Sequence, residues 1–307
     1  MSVEFCGLQL AHPVINGSGT FDAIAAHRAF GDGLCEAFPF AAYVSKTITL
    51  EPRPGNPPPR LWESSGGLIN SIGLPNKGLE RYMSDEVPAL ASLTAAAARS
   101  AGDGRSVPLI TNVMGSSATE FAQLVEACEA RAEIAAVELN VSCPNVKTGL
   151  DIGADPRQLE AVVRAVRSRS AKPLIVKLTP NTADVAACAQ AAQDGGADAV
   201  SLINTLRAMA LAPHAPHWRP GPPRPWLGGG TGGLSGAAVR AIALAQVAAV
   251  AARHQIAVRG MGGVQSAAHA RDLIDVGATL VAVGTESFRD PAAAGRVAQG
   301  LKQAGDG

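Results

Sequence analysis

Asn140-Val141-Ser142-Cys143-Pro144-Asn145 places a thiol between carboxamides, directly after the apolar run Ala135-Ala136-Val137-Glu138-Leu139. Asn and Pro end a strand there, and the amide side chains bring donors and acceptors that a core does not need. Such a set suits a small, planar, polar ligand held beside a thiol that can move a proton. The plainer alternative is a strand-to-loop turn with a buried Cys packed as a small hydrophobe.

Two lysines belong to apolar runs as well. Val176-Lys177-Leu178 puts an ammonium where burial without a partner is costly, so an anionic or strongly polar partner is expected inside the fold. A structural pair with a carboxylate such as Glu138 is the other reading. Lys46, at the end of Ala41–Lys46, also reads as an ordinary rim residue. His214 and His217 have HxxH spacing but lie in a Pro-rich stretch with no helix to align them, so no metal site is expected. Cys128 and Cys188 fall in helical stretches and read as core.

The elements that must position these groups alternate along the chain. Short apolar runs recur at Pro13–Asn16, Ala41–Lys46, Val107–Val113, Ala136–Val141, Pro173–Leu178, Ala199–Asn204, Ile256–Arg259 and Leu280–Val283. They are short and rich in Val and Ile, as buried parallel strands are. Ala-rich amphipathic stretches separate them. Asp155-Pro156 predicts a cap and first turn for Gln158–Ser168. Thr182 is a candidate cap for Asp184–Gln193, with Gly195-Gly196 closing that helix.

Eight such units in 307 residues predict an α/β fold, a (β/α)8 barrel spanning residues 1–307 as one domain, with a frayed tail at 300–307. A doubly wound sheet is the alternative, but Gly17-Ser18-Gly19-Thr20 lacks the rest of a GxGxxG fingerprint. Two long stretches, Glu51–Pro75 and Thr205–Ser235, interrupt the alternation. Both are rich in Pro or Gly and follow strands, so both are expected as long loops on the catalytic face.

Bulk properties exclude several classes. The net charge is +0, which argues against nucleic acid or a polybasic membrane patch. Five Cys with no CxxC fit a reducing compartment and offer no zinc or iron–sulfur set. The start lacks a signal-peptide plan, and no apolar run reaches the ~20 residues of a membrane span. The chain reads as cytoplasmic, with no membrane partner.

In a barrel, chemistry gathers at the C-terminal strand ends. In order these are Asn16–Thr20, Lys46-Thr47, Asn112, Asn140, Lys177, Asn204-Thr205, Gly260–Gly263 and Gly284-Thr285. Glycine turns after strands seven and eight are where many barrels bind a phosphate. Nucleotide, flavin and sugar phosphates all qualify. A non-redox phosphate-binding barrel with Lys177 as Schiff-base lysine is an open alternative.

Along nearly its whole length the chain resembles the class 1 dihydroorotate dehydrogenases, flavin enzymes of pyrimidine synthesis. The matching residues are Asn16–Phe21, Ser45-Lys46-Thr47, Glu51–Arg60, Asn70–Asn76, Asn140–Asn145, Val176–Leu178, Asn204-Thr205, Gly232–Gly236, Gly260–Gly263 and Gly284-Thr285. The resemblance implies that Cys143 is the base that removes the C5 proton of dihydroorotate while hydride passes from C6 to N5 of FMN. It places Lys177 at the N1/O2 edge of the flavin, where a fixed positive charge stabilises the anion formed on reduction. It implies substrate contacts from Lys46, Asn70, Ser71, Ile72, Gly73, Leu74, Asn140, Asn145, Asn204 and Thr205. FMN contacts are implied for Ser18, Lys46, Thr47, Asn112, Asn140, Lys177, Ile203, Gly236, Gly262, Gly263, Gly284 and Thr285.

Glu51–Pro59, Asn145-Val146-Lys147 and Asn204-Thr205-Leu206 look like the 1B subclass, whose members pair with a subunit carrying FAD and a [2Fe–2S] cluster that passes electrons to NAD. A homodimer or heterotetramer is implied, and fumarate is the alternative acceptor. A dihydropyrimidine dehydrogenase acting on dihydrouracil is the near variant; those relatives usually carry His after Cys-Pro, where this chain has Asn145. Gly228-Gly229-Gly230 and Arg207-Ala208 depart from the 1B pattern.

Overall fold

The computed structural model describes residues 2–102, 104–141, 152–212 and 224–305. Its strands in chain order are β1 (Val3–Phe5), β2 (Leu8–Leu10), β3 (Val14–Asn16), β4 (Tyr43–Val44), β5 (Leu61–Ser64), β6 (Gly67–Asn70) and β7 (Leu109–Val113). They continue as β8 (Ile134–Asn140), β9 (Leu174–Lys177), β10 (Ala199–Leu202), β11 (Leu206–Ala208), β12 (Gly232–Ser235), β13 (Ala257–Met261) and β14 (Leu280–Val283).

All eight expected runs form strands of one sheet, in the order β3-β14-β13-β10-β9-β8-β7-β4, and every ladder is parallel. That is the order of a (β/α)8 barrel opened between its first two strands. The seam is closed by other means. Ala41 N–H donates to Val14 C=O at 3.0 Å. The Asn16 amide then pairs with both backbone groups of Val44, accepting from N at 2.7 Å and donating to O at 2.8 Å.

Alternation along each strand separates two cores. Val and Leu on the outer faces, such as Val137, Leu139, Val176 and Val200, pack against the helices. The inner faces supply Ile15, Val44, Ile110, Ala136, Ile175, Ala199, Leu280 and Ala282, joined by Phe5 and Leu10 of the β1–β2 hairpin. The hairpin precedes β3, so it plugs the N-terminal end of the barrel. Toward the other end the inward residues turn polar.

The caps are as expected on one helix and displaced on another. Asp155 accepts from Arg157 N and Gln158 N at the start of Pro156–Arg167. The helix Val185–Asp194 is capped by Asp184, which accepts from Ala186 N and Ala187 N, and not by Thr182. Thr182 is too far upstream to reach those donors, and its hydroxyl lies 3.7 Å from Cys188 Sγ. Gly195 closes this helix. Of the tail expected to fray, residues 300–305 belong to the helix Ala293–Gly305, where Leu301 is 4 % exposed and joins the outer core; the last two residues lie outside the described ones.

The two long excursions are not plain loops. β5 and β6 form a hairpin in the first, β11 and β12 lie in the second, and together they make an antiparallel sheet ordered β11-β12-β6-β5. Neither stretch has enough alternation to announce a strand. Each becomes one because the other supplies its edge.

Candidate active site

The polar groups at the C-terminal strand ends are joined. Ser18 Oγ donates to Ser45 C=O at 2.8 Å and lies 3.4 Å from Thr47 Oγ1. Asn140 Nδ2 donates to Thr47 Oγ1 at 3.4 Å, and Asn204 Nδ2 donates to Asn140 Oδ1 at 3.4 Å. This line crosses the barrel mouth from the first strand end to the sixth. Lys177 is the register partner of Asn140 and is 7 % exposed. Lys46 is exposed at the rim, and a Cβ added to Gly19 would lie 3.9 Å from its Nζ.

Three turns converge beside this line. Gly262 and Gly263 follow β13 with φ of 133° and 70°, a backbone that side-chain-bearing residues rarely adopt. A Cβ on Gly263 would lie 2.9 Å from Gly236 C=O, and one on Gly262 3.3 Å from Ile203 Cγ1. Thr285, reached from β14 through Gly284, donates its hydroxyl to Ser235 Oγ at 2.8 Å. Gly236, Gly262, Gly263, Gly284, Thr285 and Ile203 are therefore one neighbourhood, and a Cβ on Gly262 or Gly263 would also meet Ala243 or Arg240.

The excursions bring their own groups to the rim. Asn70 Nδ2 donates to Gly233 C=O at 3.2 Å, and Thr205 packs so tightly on Gly233 that any Cβ there would collide with its hydroxyl. Asn181 holds the same strand, donating to Thr205 C=O at 3.1 Å and accepting from Arg207 N at 2.8 Å. Ser71 Oγ accepts from Asn56 Nδ2 at 3.0 Å. Ile72 C=O accepts from Asn56 N, and Gly73 packs against Asn56. Leu74 carries a φ of 55°, a conformation that costs about 1 kcal/mol or more outside glycine. Ile72 and Gly73 are thus tied within the first excursion through Asn56, and Leu74 C=O accepts from Asn76.

One layer deeper lies a group that the sequence reading missed. Glu138 and Arg259 are both 0 % exposed, and Arg259 Nη2 donates to Glu138 Oε2. Ser201 Oγ also donates to Oε2, at 2.8 Å, and Asn112 Nδ2 donates to Oε1 at 2.5 Å. Glu138 is therefore engaged by Arg259, Ser201 and Asn112. Burial lowers the Arg259 pKa while the facing carboxylate raises it. The available signal was Arg259 itself, a charge inside the apolar strand Ala257–Met261. Asn112 Oδ1 is buried and has no hydrogen-bond partner among the described residues.

Cys128 and Cys188 are buried, and burial pushes the Cys128 thiol up to about 12, so Cys128 is no proton carrier near neutrality. Cys143 and Asn145 lie outside the described residues, as do His214 and His217. Cys143 is two residues beyond Val141, whose C=O accepts from Gly153 N at 3.0 Å. Among the described residues no helix is long and apolar enough to cross a membrane.

A family model described as dihydroorotate dehydrogenase matches residues 1–304. Curated relatives include the protein of Pelobacter propionicus named dihydroorotate dehydrogenase B (NAD(+)), catalytic subunit. It is 41 % identical over 304 residues, covering 99 % of this chain and 92 % of the relative. The like-named protein of Trichlorobacter lovleyi is 41 % identical over 304 residues, and that of Geobacter sulfurreducens 40 % over 307, each with the same coverage.

Proposed function

The chain belongs to the dihydroorotate dehydrogenase family, and from that premise we propose that it oxidises dihydroorotate to orotate in pyrimidine biosynthesis, with FMN as its flavin. The observation that carries this reading is the hydrogen-bonded line Ser18–Thr47–Asn140–Asn204 running beside the glycine turns of one barrel mouth.

The residues present fit the cofactor. The turns at Gly262-Gly263 and Gly284-Thr285, with Gly236, leave backbone groups approachable for a phosphate. The orphaned Asn112 Oδ1 is an acceptor awaiting an N–H, and a flavin ring supplies one. Ser18, Thr47, Asn140, Lys46 and Ile203 line the same mouth. When bound, FMN supplies a hydride acceptor, and the protein's part is orientation and electrostatics. The Lys177 ammonium favours negative charge on the ring.

Substrate is held by Lys46, Asn70, Asn140, Asn145, Asn204 and Thr205, with Ser71–Leu74 shaping the wall beside Asn70. Amide donors and acceptors match a pyrimidine edge, and Lys46 supplies a cation for a carboxylate. Cys143 takes the C5 proton; a thiol with an ordinary pKa near ~8.5 is partly ionised at neutral pH, as a base must be. That role rests on the Asn140–Asn145 motif. The chain acts as the catalytic subunit of an assembly in which a second subunit, carrying FAD and a [2Fe–2S] cluster, delivers electrons to NAD.

Flavin reduction by dihydroorotate and by dihydrouracil separates this function from its nearest variant. Dihydroorotate is expected to reduce the bound flavin at least tenfold faster. A preference for dihydrouracil would overturn the proposed substrate.

A further inference from the structure

Burying a charge pair costs several kcal/mol of desolvation per ion, and well-packed apolar residues often serve stability as well or better. The Glu138–Arg259 pair therefore calls for a purpose other than stability. Its place suggests one. Glu138 stands two residues before Asn140 on the same inward strand face, so it lies about 7 Å deeper in the barrel. Ser201 is the register partner of both Lys177 and Arg259. Glu138 thus lies directly beneath Asn140, and Arg259, from the register row of Lys177 and Ser201, reaches it.

A carboxylate accepts hydrogen bonds and donates none. Glu138 Oε1 consequently fixes which way the Asn112 amide faces: its NH2 toward Glu138, its oxygen away. That oxygen is the orphaned buried acceptor. Ser201 and Arg259 in turn saturate Oε2 and hold the carboxylate still. Arg259 also cancels the carboxylate's charge, so the layer contributes no net charge below the mouth.

We propose that Glu138 and Arg259 are positioning residues of the flavin site, which fix the Asn112 amide and keep the floor of the pocket electrically neutral. This rests on the flavin reading of the mouth given above. Neutralising one member leaves an uncompensated charge in a low-dielectric layer next to the ring, where charge interactions are poorly screened. The quantity that reads this is the reduction potential of the bound flavin, which loss of folding or packing alone would not move in a charge-dependent direction.

The experiment is an anaerobic titration of FMN-loaded protein against a redox dye. Glu138→Gln leaves Arg259 uncompensated and is expected to raise the potential, changing the reduced-to-oxidised flavin ratio at fixed dye poise by tenfold or more. Glu138→Gln/Arg259→Met, which carries neither charge, is expected to return toward the parent. Arg259→Lys, which keeps the charge, is expected to stay near it. The proposal is overturned if Glu138→Gln holds FMN with the parent's potential, or if the double variant shifts as far as the single one. If Glu138→Gln does not fold, Arg259→Met decides: a lowered potential supports the pairing, and a raised one refutes it. A parent protein that takes up no flavin would instead sink the functional reading on which this depends.

Discussion

The Asn16 side chain pairs with both backbone groups of Val44 and so does the work of a missing ladder between β3 and β4. Asn16 is fully buried, and no water competes for those groups. Asn16→Leu keeps the volume but strands a buried N–H and C=O at about 1–3 kcal/mol each. A loss of about 2–6 kcal/mol in urea unfolding is expected. A variant as stable as the parent would show that the seam is held elsewhere.

Cys143→Ser is expected to slow flavin reduction by dihydroorotate about 10²-fold or more near pH 7, the usual scale of general-base catalysis. FMN content should not change. The residual rate should climb with pH, because a serine hydroxyl is far harder to ionise than a thiol. Stopped-flow reduction at several pH values checks this, and an unaltered rate at pH 7 would remove Cys143 from the mechanism.

Gly233 is one of the contacts through which the two excursions meet, touching Thr205 on one side and accepting from Asn70 on the other. Gly233→Ala must displace Thr205. A misplacement of ~1 Å at a reacting site can cost ~10²-fold, so a KM for dihydroorotate raised by about tenfold or more is expected. Flavin content should stay normal, since the cofactor turns lie elsewhere. Loss of FMN with unchanged KM would contradict the division of labour between excursions and barrel.

His12 gives the fold a definite pH response. Burial, then the nearby Arg105 charge, lower its pKa from 6.5 to about 4, and its Nδ1 accepts from Val14 N at 3.3 Å. The unfolded chain takes up this proton first as pH falls. Its contribution to stability is therefore complete above pH 6.5 and is lost between about pH 6.5 and 4. Melting temperatures across that range should fall more steeply for the parent than for His12→Asn. Parallel curves would show that His12 is not perturbed.

The barrel was legible because its strands are fully buried runs that alternate with helices eight times and lack a GxGxxG turn after the first, and the polar residues at their ends fall on one face by topology alone. Asn140, Lys177, Asn204 and the glycine turns follow from that. The four-stranded sheet was not legible: Leu61–Ser64 and Gly232–Ser235 become strands only by pairing across a long sequence separation. Asp184 outcompetes Thr182 as a cap because it stands next to the first turn, a difference of two residues that spacing alone did not resolve. Leu301 was hidden among polar and small neighbours, so its burial, and the helix it holds, looked like a loose tail. Glu138 and Arg259 escaped for a related reason. They are 121 positions apart, and only barrel closure shows that each answers the other.

The proposed reaction is dihydroorotate oxidation at an FMN held in this barrel mouth. Its most direct measurement is a single anaerobic turnover, in which FMN-loaded protein is mixed with excess dihydroorotate. The oxidised-flavin absorbance is expected to bleach, with one orotate formed per flavin. A protein that holds FMN but stays oxidised, with no orotate formed, would contradict it.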